Sequence, residues 1–125
     1  MNEKFESICF EIITNVGIAK GYYISAIRAM KVENDINRAL SLMKKGDESI
    51  VVGHKAHAEL LKLDAEGEVD NVPLLVMHSE DQLMSAETIK IFAEELIDLY
   101  QCLADKQDIA RRQTENIEYK VVMGA

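Results

Sequence analysis

Apolar side chains recur every three or four positions through residues 3 to 30, and this pattern limits the fold more than any other feature. The spacing predicts one face of a single long helix. The residues on that face are Phe5, Ile8, Cys9, Ile12, Val16, Ala19, Tyr23, Ala26 and Met30. Gly17 and Gly21 lie one turn apart in the same segment. Glycine within a helix costs about 1 kcal/mol relative to alanine, so we expect a neighbouring helix to approach closely there.

A second helix is predicted from about Asp35 to Ala65, after the segment KVENDI breaks the first pattern. Asn34 followed by Asp35 suits an N-cap, and Gly67 suits a C-cap. The predicted inner face contains Ile36, Leu40, Met43, Asp47, Ile50, His54, His57 and Leu61. Three of these residues are polar, where a plain helical bundle would have leucine.

The third helix is predicted to begin between Pro73 and Ser79, because proline suits a first turn and Ser79 with Gln82 forms a capping-box pattern. The earlier start is favoured. Its apolar face comprises Ala86, Ile89, Ala93, Leu96, Tyr100 and Leu103. From about Ala104 the chain becomes highly charged, so we expect the helix to continue for a few turns and then fray.

The chain as a whole favours an all-α fold, since it has one proline in 125 residues and is rich in helix-forming residues. We predict a three-helix antiparallel bundle in residues 1–103, followed by a helix extension and a flexible tail in residues 104–125. The first and third helices carry more apolar surface than one stripe each, which predicts oligomerisation.

The net charge of −8 argues against nucleic acid as a partner, because binding a phosphate backbone requires clustered cations. Cys9 and Cys102 lack metal-site spacing and are interpreted as reduced core thiols, which favours a cytoplasmic location. The first residues do not resemble a signal peptide, and no apolar run reaches membrane-spanning length.

The segment LLVMHSEDQLM interrupts an apolar run with His78, followed three positions later by Asp81. Residues three apart on a helix share a face, so we expect one pocket for both, with apolar walls from Leu75, Met77 and Leu83. Three chemistries suit a neutral imidazole there: proton transfer, metal binding and acceptance of a phosphoryl group. A buried, hydrogen-bonded core histidine is the alternative interpretation.

His54 and His57 form an H-x-x-H pair on the second helix. Two ligands from one helix leave a metal site incomplete, so the pair is interpreted either as a second wall of the His78 pocket or as hydrogen-bonded core histidines. The sequence has no nucleotide-binding loop, dinucleotide fingerprint or nucleophile elbow, so ATP is not expected to be the direct phosphoryl source. A phosphorylated protein would fit that role.

The segment LLVMHSEDQLMSAETIKIFAEELIDLYQ resembles the active-site segment of the lactose/cellobiose-specific IIA proteins of the bacterial sugar phosphotransferase system (PTS). The matching positions are His78, Asp81, Leu83, Met84 and Leu99-Tyr100. Upstream, FEIITNVGIAKGYYISAIRAM resembles the first helix of that family, and GHKAHAELLKLDAEGE resembles its Ala-His-x-x-Gln and acidic-Gly segment. The resemblance covers about residues 8 to 103.

This resemblance implies a homotrimer of three-helix subunits with phosphotransferase activity. His78 would take a phosphoryl group from the phosphocarrier protein HPr and pass it to a cysteine of the IIB component, during uptake of lactose, cellobiose or a related β-glycoside through the membrane component IIC. The Asp81 side chains would gather on the threefold axis around a divalent cation, expected to be Mg²⁺. His54, His57 and Gln82 would line the pocket or bind the phosphate.

Two positions depart from the family pattern: His57 stands where the family usually has glutamine, and Gln82 stands where it often has histidine. These departures, with the additional residues beyond Leu103, leave two alternatives. One is a non-catalytic trimeric scaffold or regulatory protein with the same fold. The other is a metal-binding helical protein that uses His54, His57 and Asp81.

Overall fold

The chain folds as three long helices joined by short connections. The computed structural model describes residues 3–68 and 71–124, in which α1 spans Glu3–Glu33, α2 spans Ile36–Ala65 and α3 spans Leu74–Val122. Those two ranges contain no strand, and none of their helices has an apolar stretch long enough to cross a membrane. α1 packs against both other helices, whereas α2 and α3 contact each other far less. The prediction of an all-α three-helix bundle is confirmed.

α1 is the central helix, and the face predicted to be apolar is the buried one. Every residue of that face is buried, and Ile12, Val16 and Tyr23 have no exposed surface. Burying a side chain of this size stabilises a fold by about 1.5–3 kcal/mol, so α1 supplies much of the driving force for packing. Between α1 and α2, Asp35 accepts a hydrogen bond from the backbone N–H of Arg38 at 3.0 Å, which confirms the predicted N-cap.

Only part of the inner face predicted for α2 is buried. Met43 and Ile50 are buried as predicted, whereas Leu40 and Leu61, also expected to be inside, are more than half exposed. The buried face also carries small residues seven positions apart, at Ala39, Gly46 and Gly53. At Gly46 and Gly53, α1 comes so close to α2 that a larger side chain would not fit.

The close approach between helices occurs at glycines of α2 rather than at those of α1. A Cβ atom added at Gly46 would lie 2.4 Å from Cε1 of Tyr23, and one added at Gly53 would meet the side chain of Val16 at 2.8 Å. A Cβ added at Gly17 or Gly21 would have no neighbour within 4 Å among the residues that the structure describes. The prediction of close packing at the α1 glycines is therefore wrong.

Replacing Gly46 with alanine is expected to destabilise the protein by about 1–3 kcal/mol, because the buried Tyr23 ring has no room to move away from the new methyl group. Gly21→Ala is the matched control. It adds the same methyl group to an open helix position and is expected to stabilise by up to about 1 kcal/mol. Urea unfolding of both variants measures this difference, and equal midpoints would contradict the packing described here.

α2 ends in a glycine-based C-cap. The N–H of Gly67 donates to the carbonyl of Asp64 at 3.0 Å, and the N–H of Glu68 donates to the carbonyl of Leu63 at 3.1 Å. Gly67 has φ of 76°, a conformation that side chains with a Cβ rarely adopt. This pair of hydrogen bonds is a Schellman motif, which satisfies the last carbonyls of the helix and agrees with the predicted C-cap.

α3 begins at Leu74, directly after Pro73, as the favoured prediction stated. Ser79 is completely buried within the helix and does not cap it, so the capping-box interpretation of Ser79 with Gln82 is wrong. Val69 and Asp70, which belong to the predicted acidic loop, lie outside the described residues.

α3 continues well past the bundle. It runs without a break to Val122, whereas the sequence suggested only a few turns beyond Ala104 before fraying. From Cys102 onward most side chains are exposed, Cys102 among them, so the prediction of two core thiols holds for Cys9 alone. A domain boundary at residue 103 stays a prediction.

A polar contact ties all three helices together in the middle of the bundle. The hydroxyl of Tyr23 on α1 donates to Oδ1 of Asp47 on α2 at 2.7 Å, and Nζ of Lys90 on α3 lies 3.1 Å from the same oxygen. Burial raises the pKa of the Tyr23 phenol, and its hydrogen bond to the Asp47 carboxylate raises it further. The phenol is therefore held in its neutral, donating form.

The raised pKa of Tyr23 predicts a loss of stability at alkaline pH. In the unfolded chain the phenol ionises near pH 10, while in the folded protein it stays protonated at that pH. The unfolded state then binds fewer protons, so the free energy of unfolding falls above about pH 10, by up to about 1.4 kcal/mol per pH unit. Chemical unfolding between pH 8 and 11.5 measures this slope, which should become shallower in Tyr23→Phe; an unchanged slope would contradict the assignment.

Candidate functional site

His78 lies in the second turn of α3 with its imidazole exposed to solvent. Within the described part of the chain it has no hydrogen-bond or ion-pair partner. It borders an open groove of about 480 Å³, whose other lining residues are Val72, Leu74, Val76, Met77, Glu80, Asp81 and Met84. The ring is therefore accessible to another molecule and is not held as a core histidine.

Asp81 lies three positions after His78 and lines the same groove. Its carboxylate is exposed and, among residues 3–68 and 71–124, has no cationic partner. Of the three apolar walls predicted for this pocket, only Met77 lines the groove. Leu83 is buried in the core, and Leu75 packs partly against it.

Ser79, next to the imidazole in sequence, points away from it into the core. Its hydroxyl donates to the carbonyl of Val76 at 2.8 Å. It also contacts the thiol of Cys9 on α1, whose pKa is raised by burial. Ser79 therefore fixes the first turns of α3 against α1 and is unavailable to a ligand in the groove.

His54 and His57 face α3 but do not line the His78 groove. Nε2 of His57 lies 2.5 Å from Oε1 of Glu80, and Nε2 of His54 lies 3.3 Å from Oε1 of Glu87. The two histidines therefore bridge α2 and α3 through separate carboxylates. Their predicted role in phosphate binding stays a prediction.

Gln82 forms a hydrogen bond with a lysine of α1, one turn along α3 from His78. The ammonium group of Lys20 on α1 donates to Oε1 of Gln82 at 2.9 Å. Gln82 and His78 are four positions apart on α3, so their side chains are neighbours on the helix surface. A cation of α1 is thus held one turn along α3 from His78.

The surface around His78 is mainly apolar. Five side chains of α3 are more than half exposed on the same side of the helix as His78 and Asp81. They are Leu74, Met77, Met84, Phe92 and Leu99. Several exposed apolar side chains on one side of a helix are typical of a surface that another protein chain covers.

The described residues contain no group of three or more histidine, cysteine or acidic side chains that could hold a metal ion. His54, His57 and Asp81, the ligand set of the metal-binding alternative, have separate surroundings and are not assembled within one chain. Neither Glu80 nor Lys20 was predicted to belong to the site. A carboxylate two positions after His78 was the available signal for Glu80, whereas nothing in the sequence indicated Lys20.

Three comparisons identify relatives of this chain. Residues 7–101 match the family model described as PTS system, lactose/cellobiose specific IIA subunit. The chain is 34% identical over 107 residues to the lichenan-specific phosphotransferase enzyme IIA component of Bacillus subtilis, covering 86% of this chain and 96% of that protein. It is 33% identical over 91 residues to the lactose-specific EIIA component of Streptococcus mutans, covering 73% of this chain and 86% of that protein.

A solved structure shows the same architecture. The crystal structure of the PTS cellobiose-specific enzyme IIA from Bacillus anthracis superposes with a TM-score of 0.79 at 35% sequence identity, covering 85% of this chain and 95% of that one. The family match spans most of the chain and includes the segment around His78. The chain therefore belongs to the lactose/cellobiose-specific IIA subunits of the sugar phosphotransferase system.

Proposed function

We propose that His78 accepts a phosphoryl group from phosphorylated HPr and passes it to a cysteine of a IIB component. This exchange, which we place in the cytoplasm, would serve the uptake of lactose, cellobiose or a related β-glycoside through a membrane component IIC. The observation that carries the proposal is the exposed, unpartnered imidazole at an open groove, in a chain of the IIA family.

The transfer requires little from the protein besides position and charge. A ring nitrogen of neutral His78 attacks phosphorus with its lone pair, and the bond between phosphorus and the donor atom of HPr breaks with its electron pair left on the donor. In the second step the IIB thiolate attacks phosphorus, the P–N bond breaks, and the imidazole is regenerated. The phosphoryl oxygens keep their charge throughout.

The charges near His78 must therefore accommodate an anion. Lys20, held by Gln82 one turn along α3, is the cation positioned to approach the phosphoryl oxygens. Leu74, Met77 and Met84 lower the local polarity, which strengthens this attraction relative to open water. His54 and His57 flank this site from α2, each bridged to a carboxylate of α3.

We further propose that three chains assemble through the apolar face of α3. This arrangement would cover the exposed Phe92 and Leu99 and would bring three Asp81 carboxylates together. Because Asp81 has no counter-ion among the described residues of its own chain, its oxygens suit a hard divalent cation such as Mg²⁺, which would offset their mutual repulsion. Elemental analysis of the assembled protein is then expected to give about one Mg²⁺ per three chains.

Incubation of the full chain with phosphoenolpyruvate, enzyme I and HPr, followed by intact mass measurement, tests the proposal. The expected result is an acid-labile gain of one phosphoryl group per chain. No gain in mass under conditions that phosphorylate HPr would reject the carrier function and favour a non-catalytic scaffold.

A further inference from the structure

Glu80 occupies the boundary between His57 and the His78 groove. Its side chain lines that groove, and it also lines a smaller neighbouring cavity formed by Leu60, Leu61 and Val76. Its Oε1 atom is in contact with Nε2 of His57 at 2.5 Å, across the otherwise sparse junction between α2 and α3. His57 is 20% exposed and Glu80 is 37% exposed, so water screens this pair only in part.

An unpaired Glu80 would be unfavourable for the proposed reaction. The groove already contains the carboxylate of Asp81, and a phosphoryl group on His78 adds further negative charge. A second free carboxylate turned toward the same groove would repel both the incoming phosphorylated donor and the product. The contact with His57 directs the Glu80 carboxylate toward α2 and supplies a hydrogen-bond donor to it.

We propose that His57 is a positioning residue that holds the Glu80 carboxylate on the α2 side of the groove through this hydrogen bond. His57 acts on phosphoryl transfer through Glu80 and does not contact the phosphoryl group. This inference rests on the proposed function of His78. His57 would therefore position Glu80, whereas the sequence suggested that it contacts the phosphate directly.

The second histidine bridge provides an internal comparison. His54 and Glu87 also join α2 to α3, at 3.3 Å, but both side chains are nearly half exposed. Glu87 lies about two turns beyond Glu80 along α3 and does not line the His78 groove. Removing the charge of Glu87 therefore changes the same kind of bridge without changing the groove.

The test measures the initial rate at which phosphorylated HPr labels the full chain and its variants. His57→Leu keeps a side chain of similar size but has no hydrogen-bond donor for Glu80, and it is expected to slow labelling by about tenfold. Glu80→Gln removes the carboxylate, and its labelling rate is the reference for the double variant. The double variant His57→Leu/Glu80→Gln should label within about twofold of Glu80→Gln, because no carboxylate remains to be positioned.

Two controls separate this mechanism from a purely structural effect. Glu87→Gln is expected to leave labelling unchanged by itself and not to restore His57→Leu. The slowing in His57→Leu should also shrink as NaCl concentration rises, since salt screens repulsion between carboxylate and phosphate. Circular dichroism establishes that each variant keeps its helical content.

The possible results are distinct. A double variant as slow as His57→Leu would overturn the inference, because the loss would then come from His57 itself. A His57→Leu variant as fast as the unmodified chain would do the same. Either result leaves the carrier function of His78 intact, whereas an unmodified chain that is never labelled refutes the proposed function and this inference together.

Discussion

His78→Ala is expected to eliminate labelling by phosphorylated HPr, down to the background seen without the donor. Alanine has no lone pair that can attack phosphorus, and His54 and His57 each face a carboxylate of α3 instead of the groove. Intact mass measurement after incubation with the full phosphorylation system gives the result directly.

The same variant should keep its fold. The His78 side chain is exposed and has no partner within the described residues, so its removal leaves no cavity in the core. Helical content by circular dichroism and the unfolding midpoint are expected to match those of the unmodified chain. Labelling that persists in a folded His78→Ala protein would show that another residue is the phosphoryl acceptor.

Tyr23→Ala is expected to lower the free energy of unfolding by about 3–5 kcal/mol, the largest stability effect that the structure predicts. Tyr23 is completely buried at the centre of the bundle, where it packs against the backbone of α2 at Gly46. Alanine would leave a ring-sized cavity between rigid helices that have little freedom to close it. Urea unfolding at fixed protein concentration measures the loss, since any assembly makes stability concentration-dependent.

Tyr23→Phe separates the contribution of the ring to stability from that of the hydroxyl. It keeps the packing and removes only the hydrogen bond to Asp47, so a loss of about 1 kcal/mol is expected. Asp47 remains partly exposed and paired with Lys90, which limits the cost of leaving its oxygen without the phenol. If Tyr23→Phe lost as much stability as Tyr23→Ala, the hydroxyl contact rather than the ring would be the main contribution.

The sequence predicted α1 well because α1 lies between two neighbours. A central helix buries a wide face, so its large apolar residues, such as Phe5, Ile12 and Met30, all turn inward and produce a clear period. The N-cap at Asp35 and the C-cap at Gly67 depend on local chemistry and were also predictable.

The inner face of α2 was predicted only in part because size as well as hydrophobicity decides it. Met43 and Ile50 are buried as predicted. The closest contacts with α1, however, occur at Gly46 and Gly53, and this face leaves Leu40 and Leu61 outside. A hydrophobic period gives glycine no weight and therefore misses such a face. The regular spacing of Ala39, Gly46 and Gly53 was the signal available in the sequence.

Only the part of the site that depends on spacing within one helix was predictable from the sequence. His78 and Asp81 share a groove because they are three positions apart on one helix, and this spacing is visible in the sequence. The contacts of Gln82 with Lys20 and of His57 with Glu80 join residues far apart in the chain. They depend on how the helices rotate and slide against one another, which no single helical period specifies.

Cys9 is enclosed in the core and its thiol pKa is raised by burial, while Cys102 is exposed on α3. A thiol-reactive dye would consequently attach at one defined position per chain without mutagenesis. Because α3 is a single continuous helix, that dye would sit about 36 Å along its axis from His78. This separation is within the range of energy-transfer measurements to a second label near His78.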